Sequence, residues 1–538
     1  MREEQYLAIS VRQMKTTYLD EDNLIEEIVR YGFFTEQFPS CFSTEEFADY
    51  ANSLAELISL NESSLRGEKA TQPSNLAIFK NDVARRILSA PNPKAFLTLV
   101  KFIAANWDMI KDFSKSENSL SPITVMHNYD YGMVEVLNCE LARKSLRKRS
   151  DYTAGIKKCI GVSMGKMYRL KVDISNCYGS MYTHAISWAV CGKAEAKRFV
   201  RDGKKSWSKE YTFANSFDTY MRFQKYNETN GILIGPYTSR IFSEVILAKV
   251  DKILRKQGFV FKRYVDDYKF YFSTEAEAQL HLPKIERILN EFNLSLNAEK
   301  TEIAKFPFES ISAMKSSLEK AYESNDVFGV LNQAAIMYQS GEKGAFKYAL
   351  KFIEKKELNM DDKKVIIPFL INLMLLDPRL GNYVANYIKR HLASINPDGL
   401  ADVFNKQLSR CLDADLEQES LLFLHLINEF DRYINAENLI KSFKSGNDFI
   451  IIIAFDIWNN RRGSVKGIEG KMDEDINNEI AHLLNDLIGE TMKDSRWLLL
   501  YELNAGNLVE KSKAPNISDE FFRKMLKCGI RFYHSSNF

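Results

Sequence analysis

Apolar residues recur every three or four positions through residues 18–33 and 44–60, the spacing of helices that bury one face. A Phe38-Pro39-Ser40 break separates the two stretches. From about residue 134 to 305 the texture changes to short runs rich in β-branched and aromatic residues, alternating with turns and a few helical segments. Within it, 167–174 reads MYRLKVDI, which places Tyr168, Leu170, Val172 and Ile174 on one face of a strand and Arg169, Lys171 and Asp173 on the other. A second strand signal runs from Gly258 to Tyr264, passes through Val265-Asp266-Asp267 and leaves through Tyr268 to Phe272. That pattern predicts a hairpin with both aspartates at its turn. Beyond Phe306-Pro307-Phe308 the period is helical to the end, through 328–339, 342–355, 416–433 and 492–504. This is room for roughly ten helices of ordinary length.

The expected fold class is therefore α+β: an N-terminal domain over 1–308, holding an antiparallel sheet with helices, then an all-α domain over 309–538. No fixed period repeats in the second half, and the expectation there is an irregular array of helix pairs of the HEAT or armadillo kind. A chain of 538 residues exceeds what one hydrophobic core organises, in keeping with more than one domain.

Composition narrows the class. Hydrophobic residues at 45% and charged residues at 27% are those of a folded globular protein. The net charge of +2 gives no global signal for nucleic acid, so any electrostatic footprint has to be local. One stretch supplies it: between Ala142 and Lys171 stand Arg143, Lys144, Arg147, Lys148, Arg149, Lys157, Lys158, Lys166, Arg169 and Lys171 against the single acid Asp151. Seven cysteines without a CxxC pair point to reduced thiols and a cytoplasmic location. The opening MREEQYLAIS has no apolar core of a secretory signal. The apolar runs 365–376 and 449–455 fall short of the roughly 20 residues of a membrane span, so no membrane partner is expected.

Adjacent aspartates among aromatic and β-branched residues repel each other and call for positive compensation. Magnesium or manganese suits them, because hard divalent ions take oxygen ligands and need no His or Cys cluster. Phosphoryl transfer commonly uses two such ions roughly 4 Å apart, and carboxylates from two neighbouring strands can hold the pair. Between the aspartate strands lies Gly231-Ile-Leu-Ile-Gly235-Pro-Tyr-Thr-Ser-Arg240, followed by an apolar helical stretch. Its glycines, Gly235 among them, allow close approach of backbone to a nucleotide, and Pro236 can start the helix. After the hairpin come a helix and Leu294 to Ile303, with Lys300 placed to reach a triphosphate.

The order Asp173, Gly231 to Arg240, Tyr264-Val-Asp-Asp267 and Lys300 resembles the reverse-transcriptase motifs lettered A to D. Within that superfamily, Asp173-Ile-Ser-Asn-Cys-Tyr178 continuing through Ser180 to Ala189, together with the early segment 31–39, is similar to the bacterial abortive-infection polymerases and related defence reverse transcriptases. The resemblance is specific over about residues 25–305 and only architectural beyond. It implies a fingers and palm fold, with Asp173, Asp266 and Asp267 binding two metal ions and the Ile174 carbonyl as an extra ligand. Tyr178 then occupies the steric-gate position, which implies deoxynucleotide preference.

Two features depart from the broader superfamily. Leu233-Ile234-Gly235 stands where many templating enzymes carry Pro-Gln-Gly, which weighs against templated copying, and no short thumb with a nuclease follows Phe308. For the abortive-infection group the resemblance implies untemplated DNA synthesis from dNTPs, a protein hydroxyl as primer, single-stranded DNA attached to protein, homo-oligomeric assembly and defence against phage. Tyr6 and Tyr18 are the candidate primers in the N-terminal region. The basic stretch would contact phosphates, and Tyr152 and Tyr168 are candidates to stack bases. Two other readings stand beside this one: an RNA-templated reverse transcriptase with a bound noncoding RNA, and an inactive scaffold that holds nucleic acid.

Overall fold

The computed structural model describes residues 16–18, 21–35, 37–39, 41–60, 69–81, 83–123, 125–127, 152–308, 318, 320, 327–353, 360–391, 397–468 and 471–534. The chain divides into two compact units. One comprises 1–35, 47–73 and 89–311, and the other 36–46, 74–88 and 312–538.

The first unit is organised on a four-stranded antiparallel sheet: β1 (Tyr168–Asp173), β2 (Phe261–Tyr264), β3 (Asp267–Phe272) and β4 (Glu302–Lys305), in the spatial order β2-β3-β1-β4. The alternation of MYRLKVDI is realised in β1. Leu170 and Val172 are buried, with Ile174 just beyond the strand, while Arg169 and Lys171 on the other face keep partial exposure. Helices α1 (Tyr152–Val162), α2 (Ala185–Cys191), α3 (Lys209–Phe223), α4 (Tyr237–Lys256) and α5 (Glu275–Asn290) belong to the same unit. Pro236 is the N-cap of α4, with φ −62° and ψ 139°; its nitrogen carries no hydrogen to donate to a preceding turn, so the helix begins after it. Aromatic rings fill the core: Phe102 stacks on Phe213 at 5.7 Å and Phe217 meets Phe242 edge-on at 5.0 Å.

The second unit is helical. It includes α6 (Pro397–Asp413), α7 (Glu417–Glu429), α8 (Asp448–Asn460) and α9 (Trp497–Ala505). N-terminal pieces of the chain complete it. The first turn of α7 offers side-chain acceptors to backbone in the segment 74–88: Glu417 accepts from the Ala77 N–H at 2.6 Å and Gln418 from the Phe79 N–H at 2.8 Å, while Glu419 pairs with Arg85 at 2.7 Å. Residues 41–43 pair with 532–534, through Ser43 N–H to the Phe532 carbonyl and His534 N–H to the Cys41 carbonyl. Among the described residues no helix is long and apolar enough to cross a membrane.

Candidate active site

The sheet register assembles the acids. Asp173, the last residue of β1, lies directly opposite Asp267, the first residue of β3, and Asp267 is in turn opposite Tyr264 at the end of β2. Asp266 sits in the two-residue turn between β2 and β3. Its carbonyl accepts the Ile174 N–H at 3.4 Å, which ties the turn to the chain leaving β1. Val265 adopts φ +58°, a left-handed conformation that a β-branched residue takes only under constraint.

The constraint is a buried ion network beneath the hairpin. Arg263, fully buried in β2, donates to Glu244 at 2.9 and 3.0 Å, to Asp251 at 2.7 to 3.0 Å and to the Val265 carbonyl at 2.8 Å. Arg240 pairs with the same Glu244 at 2.7 Å. Burial alone would raise the Glu244 carboxyl, but Arg240 and Arg263 pull it down to about 2. One face of the turn is thus fixed by charge-assisted bonds in a dry environment.

Asp173 is buried and held by two donors from the segment ahead of β4. Lys300 Nζ approaches its carboxylate oxygens at 3.1 and 3.2 Å, and the Asn297 amide donates at 3.2 Å. The Asn297 N–H also meets the Asp173 carbonyl at 2.9 Å. Asp266 is raised above the usual carboxylate range, first by burial and then by the charge of Asp173. Burial and the charge of Asp266 raise Asp267, against which Lys171 acts. Lys300 thus compensates Asp173, while Asp266 and Asp267 are left as adjacent carboxyls that hold their protons more tightly than usual.

Among the described residues no three acid, histidine or cysteine side chains form a ready metal cage. Register explains the acids' placement and Lys300 explains the gap: Asp173 is turned to an ammonium group, the cation now closest to it. The donor set, carboxylate oxygens without nitrogen or sulfur, has the chemistry of a hard divalent ion site.

The glycine motif packs against the turn that follows Asp173. Gly231 has φ +78°, and a Cβ there would lie 2.6 Å from the Gly179 carbonyl. Ile232 N–H donates to the Tyr178 carbonyl at 2.8 Å and Gly231 N–H to Met181 at 2.9 Å. Gly235, at φ +130°, approaches the Ser89 backbone, and Ser89 N–H bonds the Ile234 carbonyl at 2.8 Å. This close approach is of backbone to backbone. Tyr178 is partly exposed, but its phenol, beside Ser243 and Arg240, is pushed up to about 12 by burial.

Other expected residues lie elsewhere. Tyr18 ends a short strand, Thr16–Tyr18, whose backbone pairs with Val125–His127. Tyr6 and the basic run 143–149 fall outside the described residues, as does the side chain of Tyr152. Sequence reasoning missed Arg263, Glu244, Asp251 and Asn297. A signal for Arg263 was present: it shares a strand face with the apolar Phe261, a position where an arginine needs buried acids.

Residues 116–332 match the family described as reverse transcriptase (RNA-dependent DNA polymerase), a span that contains every aspartate of the cluster, the glycine motif and Lys300. Among curated proteins none matches the chain. Similar solved structures include apo telomerase from Candida tropicalis truncated from its C-terminal domain, at 14% identity and TM-score 0.28, covering 49% of this chain and 56% of that one. The longer apo telomerase of the same organism aligns at 12% identity and TM-score 0.31, over 77% of this chain and 73% of that one. A Candida albicans telomerase in complex with a telomeric RNA fragment aligns at 13% identity and TM-score 0.28, over 76% and 69%. This chain thus spans little more than half of the truncated telomerase chain. The match over 116–332, with the acids brought together at the ends of paired strands, shows that this chain carries a reverse-transcriptase domain, the domain type of nucleotidyltransferase polymerases.

Proposed function

We propose that this chain synthesises DNA from dNTPs without a template, priming from a protein hydroxyl, in abortive-infection defence against phage. The observation that carries the polymerase chemistry is the register of Asp173 against Asp267, with Asp266 in the intervening turn. In this reading Asp173, Asp266, Asp267 and the Ile174 carbonyl hold two magnesium or manganese ions. When bound, the ions activate the attacking oxygen and neutralise charge on the departing pyrophosphate. Arg263, through Glu244, Asp251 and the Val265 carbonyl, fixes the turn that presents two of the acids. Lys300, freed from Asp173, moves its charge toward the triphosphate. Tyr178 closes the sugar side against a ribose 2′-hydroxyl, and the Gly231–Gly235 turn shapes the floor beside it.

Untemplated synthesis is supported by Leu233-Ile234-Gly235, which has no glutamine to pack a template-primer pair. The domain division at 308/309, a HEAT-like array over 309–538, homo-oligomeric assembly, a cytoplasmic location and Tyr6 or Tyr18 as primer belong to the same reading. A second reading has a specific observation behind it: the matched family is described as RNA-dependent, which favours a templated enzyme bound to RNA.

Purified protein incubated with labelled dNTPs and Mg²⁺ or Mn²⁺, without template or primer, separates the two on a denaturing gel run with and without protease. Label that migrates with protein until digestion is the expected result. Incorporation only after RNA and primer are supplied would overturn the untemplated reading in favour of the templated one.

A further inference from the structure

In the second unit, α6 and the helix Ala436–Lys444 leave a cleft of about 560 Å³, within the roughly 300–1,000 Å³ of clefts that bury ligands. Two buried asparagines, Asn405 and Asn438, line it. The Asn405 amide is fully used. Its Nδ2 donates to the Ala401 and Tyr433 carbonyls, both at 2.9 Å, and its Oδ1 accepts from the Asn435 N–H at 2.8 Å and from Asn438 Nδ2 at 3.1 Å. Asn438 Nδ2 donates as well to the Asn405 carbonyl at 2.8 Å. Both amide hydrogens of Asn438 are thus engaged, while its Oδ1 has no partner among the described residues. A buried acceptor of this kind is costly until a donor reaches it through the cleft.

Two further polar groups line the same cleft. Asn435 is the N-cap residue of the helix Ala436–Lys444, yet its side-chain amide makes no capping bond and is exposed. Ser409 Oγ accepts from Lys441 Nζ at 3.1 Å, which leaves its own O–H to donate. An acceptor, a hydroxyl donor and an amide that does both are the complement of an extended peptide main chain, which presents N–H and C=O groups in alternation.

The charges on the walls set the sign of the ligand. Each acid there already holds a donor: Asp402 takes the Tyr433 hydroxyl, and Lys441 pairs with Asp413 at 2.8 Å and with Glu437 at 3.3 Å. Lys406 and Arg410 are exposed and have no ion pair among the described residues. They lie four residues apart on α6, so their Cβ atoms are about 5–6 Å apart on one face. Side chains two residues apart on an extended peptide share a face at a spacing of roughly 6.7 Å, and two carboxylates so placed meet both cations. A phosphodiester strand fits less well. It carries charge at every residue and would run past the Asp413 and Glu437 side chains, which are 58% and 69% exposed.

We propose that this cleft binds an extended acidic segment of a partner protein, with its main chain on Asn438, Asn435 and Ser409 and two carboxylates, two residues apart, on Lys406 and Arg410.

The test is fluorescence anisotropy of a fluorescein-labelled peptide of alternating glutamate and glycine, titrated with the full chain at fixed ionic strength. A lysine–glycine peptide of equal length and labelled oligo-dT are run beside it. Wild type should bind the acidic peptide saturably and the lysine–glycine peptide not at all. Lys406→Gln/Arg410→Gln should weaken binding by about tenfold, the loss expected of two exposed charge pairs, and Asn435→Ala should weaken it severalfold. Melting curves and dNTP incorporation of the variants should match wild type. No saturable binding, or undiminished binding by the folded double variant, would overturn the proposal. So would oligo-dT that displaces the peptide and loses its own affinity in the double variant, since the two cations would then serve nucleic acid.

Discussion

Lys300 and Asp173 form the contact on which the chemistry of the site turns. An ammonium group within 3.2 Å of both carboxylate oxygens supplies the compensation that a metal ion would otherwise give. In the proposed reading, ion and lysine compete for one carboxylate. Lys300→Met should bind Mn²⁺ severalfold more tightly than wild type in an electron paramagnetic resonance titration without nucleotide. Weaker binding would show that Lys300 orients Asp173 for the ion and does not displace it. Tyr178 is tested separately. If its ring excludes the ribose hydroxyl, Tyr178→Ala should narrow the preference for dATP over ATP by at least about tenfold, a difference of about 1.4 kcal/mol. An unchanged ratio of kcat/KM values would place the gate elsewhere.

At the scale of elements, the hairpin of β2 and β3 is held from below by Arg263. Removing one partner of a buried ion pair leaves the others uncompensated and typically costs about 3–5 kcal/mol. Arg263→Ala should therefore lower the stability of the first unit by about that amount in chemical denaturation, because Glu244 and Asp251 remain buried. A loss below about 1 kcal/mol would show that water or Arg240 replaces it. The hairpin itself was legible in the sequence. Alternation in MYRLKVDI and the apolar run into Val265-Asp266-Asp267 set both strands and the turn, because a period of two is local. The facing of Asp173 and Asp267 was less direct, since pairing across some ninety residues is fixed by tertiary packing that no local pattern encodes. For the same reason the contact between Lys300 and Asp173 is not legible in the sequence. Glu244 and Asp251 looked like a polar edge of an apolar helix. Only the approach of Arg263 from another element makes their burial intelligible.

Across the whole molecule, the helical unit recruits residues from the N-terminal quarter of the chain, which helical periodicity after residue 308 did not foretell. Segments 36–46 and 74–88 join it through pairings such as Phe42 with Tyr533 and Ala77 with Glu417, contacts between residues hundreds of positions apart. The same unit contains a titration that can be followed. Glu502, fully buried in α9, is pushed up to about 7 by burial, against the opposing bond from the Phe532 N–H at 2.6 Å. A carboxyl raised on folding stabilises the fold in its protonated form. That contribution is present below the unfolded value of about 4.3 and is lost as pH rises to about 7. The melting temperature of this unit should fall across that window, and Glu502→Gln should flatten the fall; equal slopes in both proteins would remove Glu502 as the cause.

The central claim is that Asp173, Asp266 and Asp267 perform nucleotidyl transfer, and it is tested most directly by labelled dNTP incorporation with Mn²⁺ in wild type and in Asp266→Asn/Asp267→Asn. The double variant should lose incorporation entirely. In the metal-free state it should melt at or above the wild-type temperature, because burial and the charge of neighbouring acids, Asp173 for Asp266 and Asp266 for Asp267, already raise both carboxyls and removing their charge relieves the fold. Incorporation that persists in the folded double variant would contradict the account.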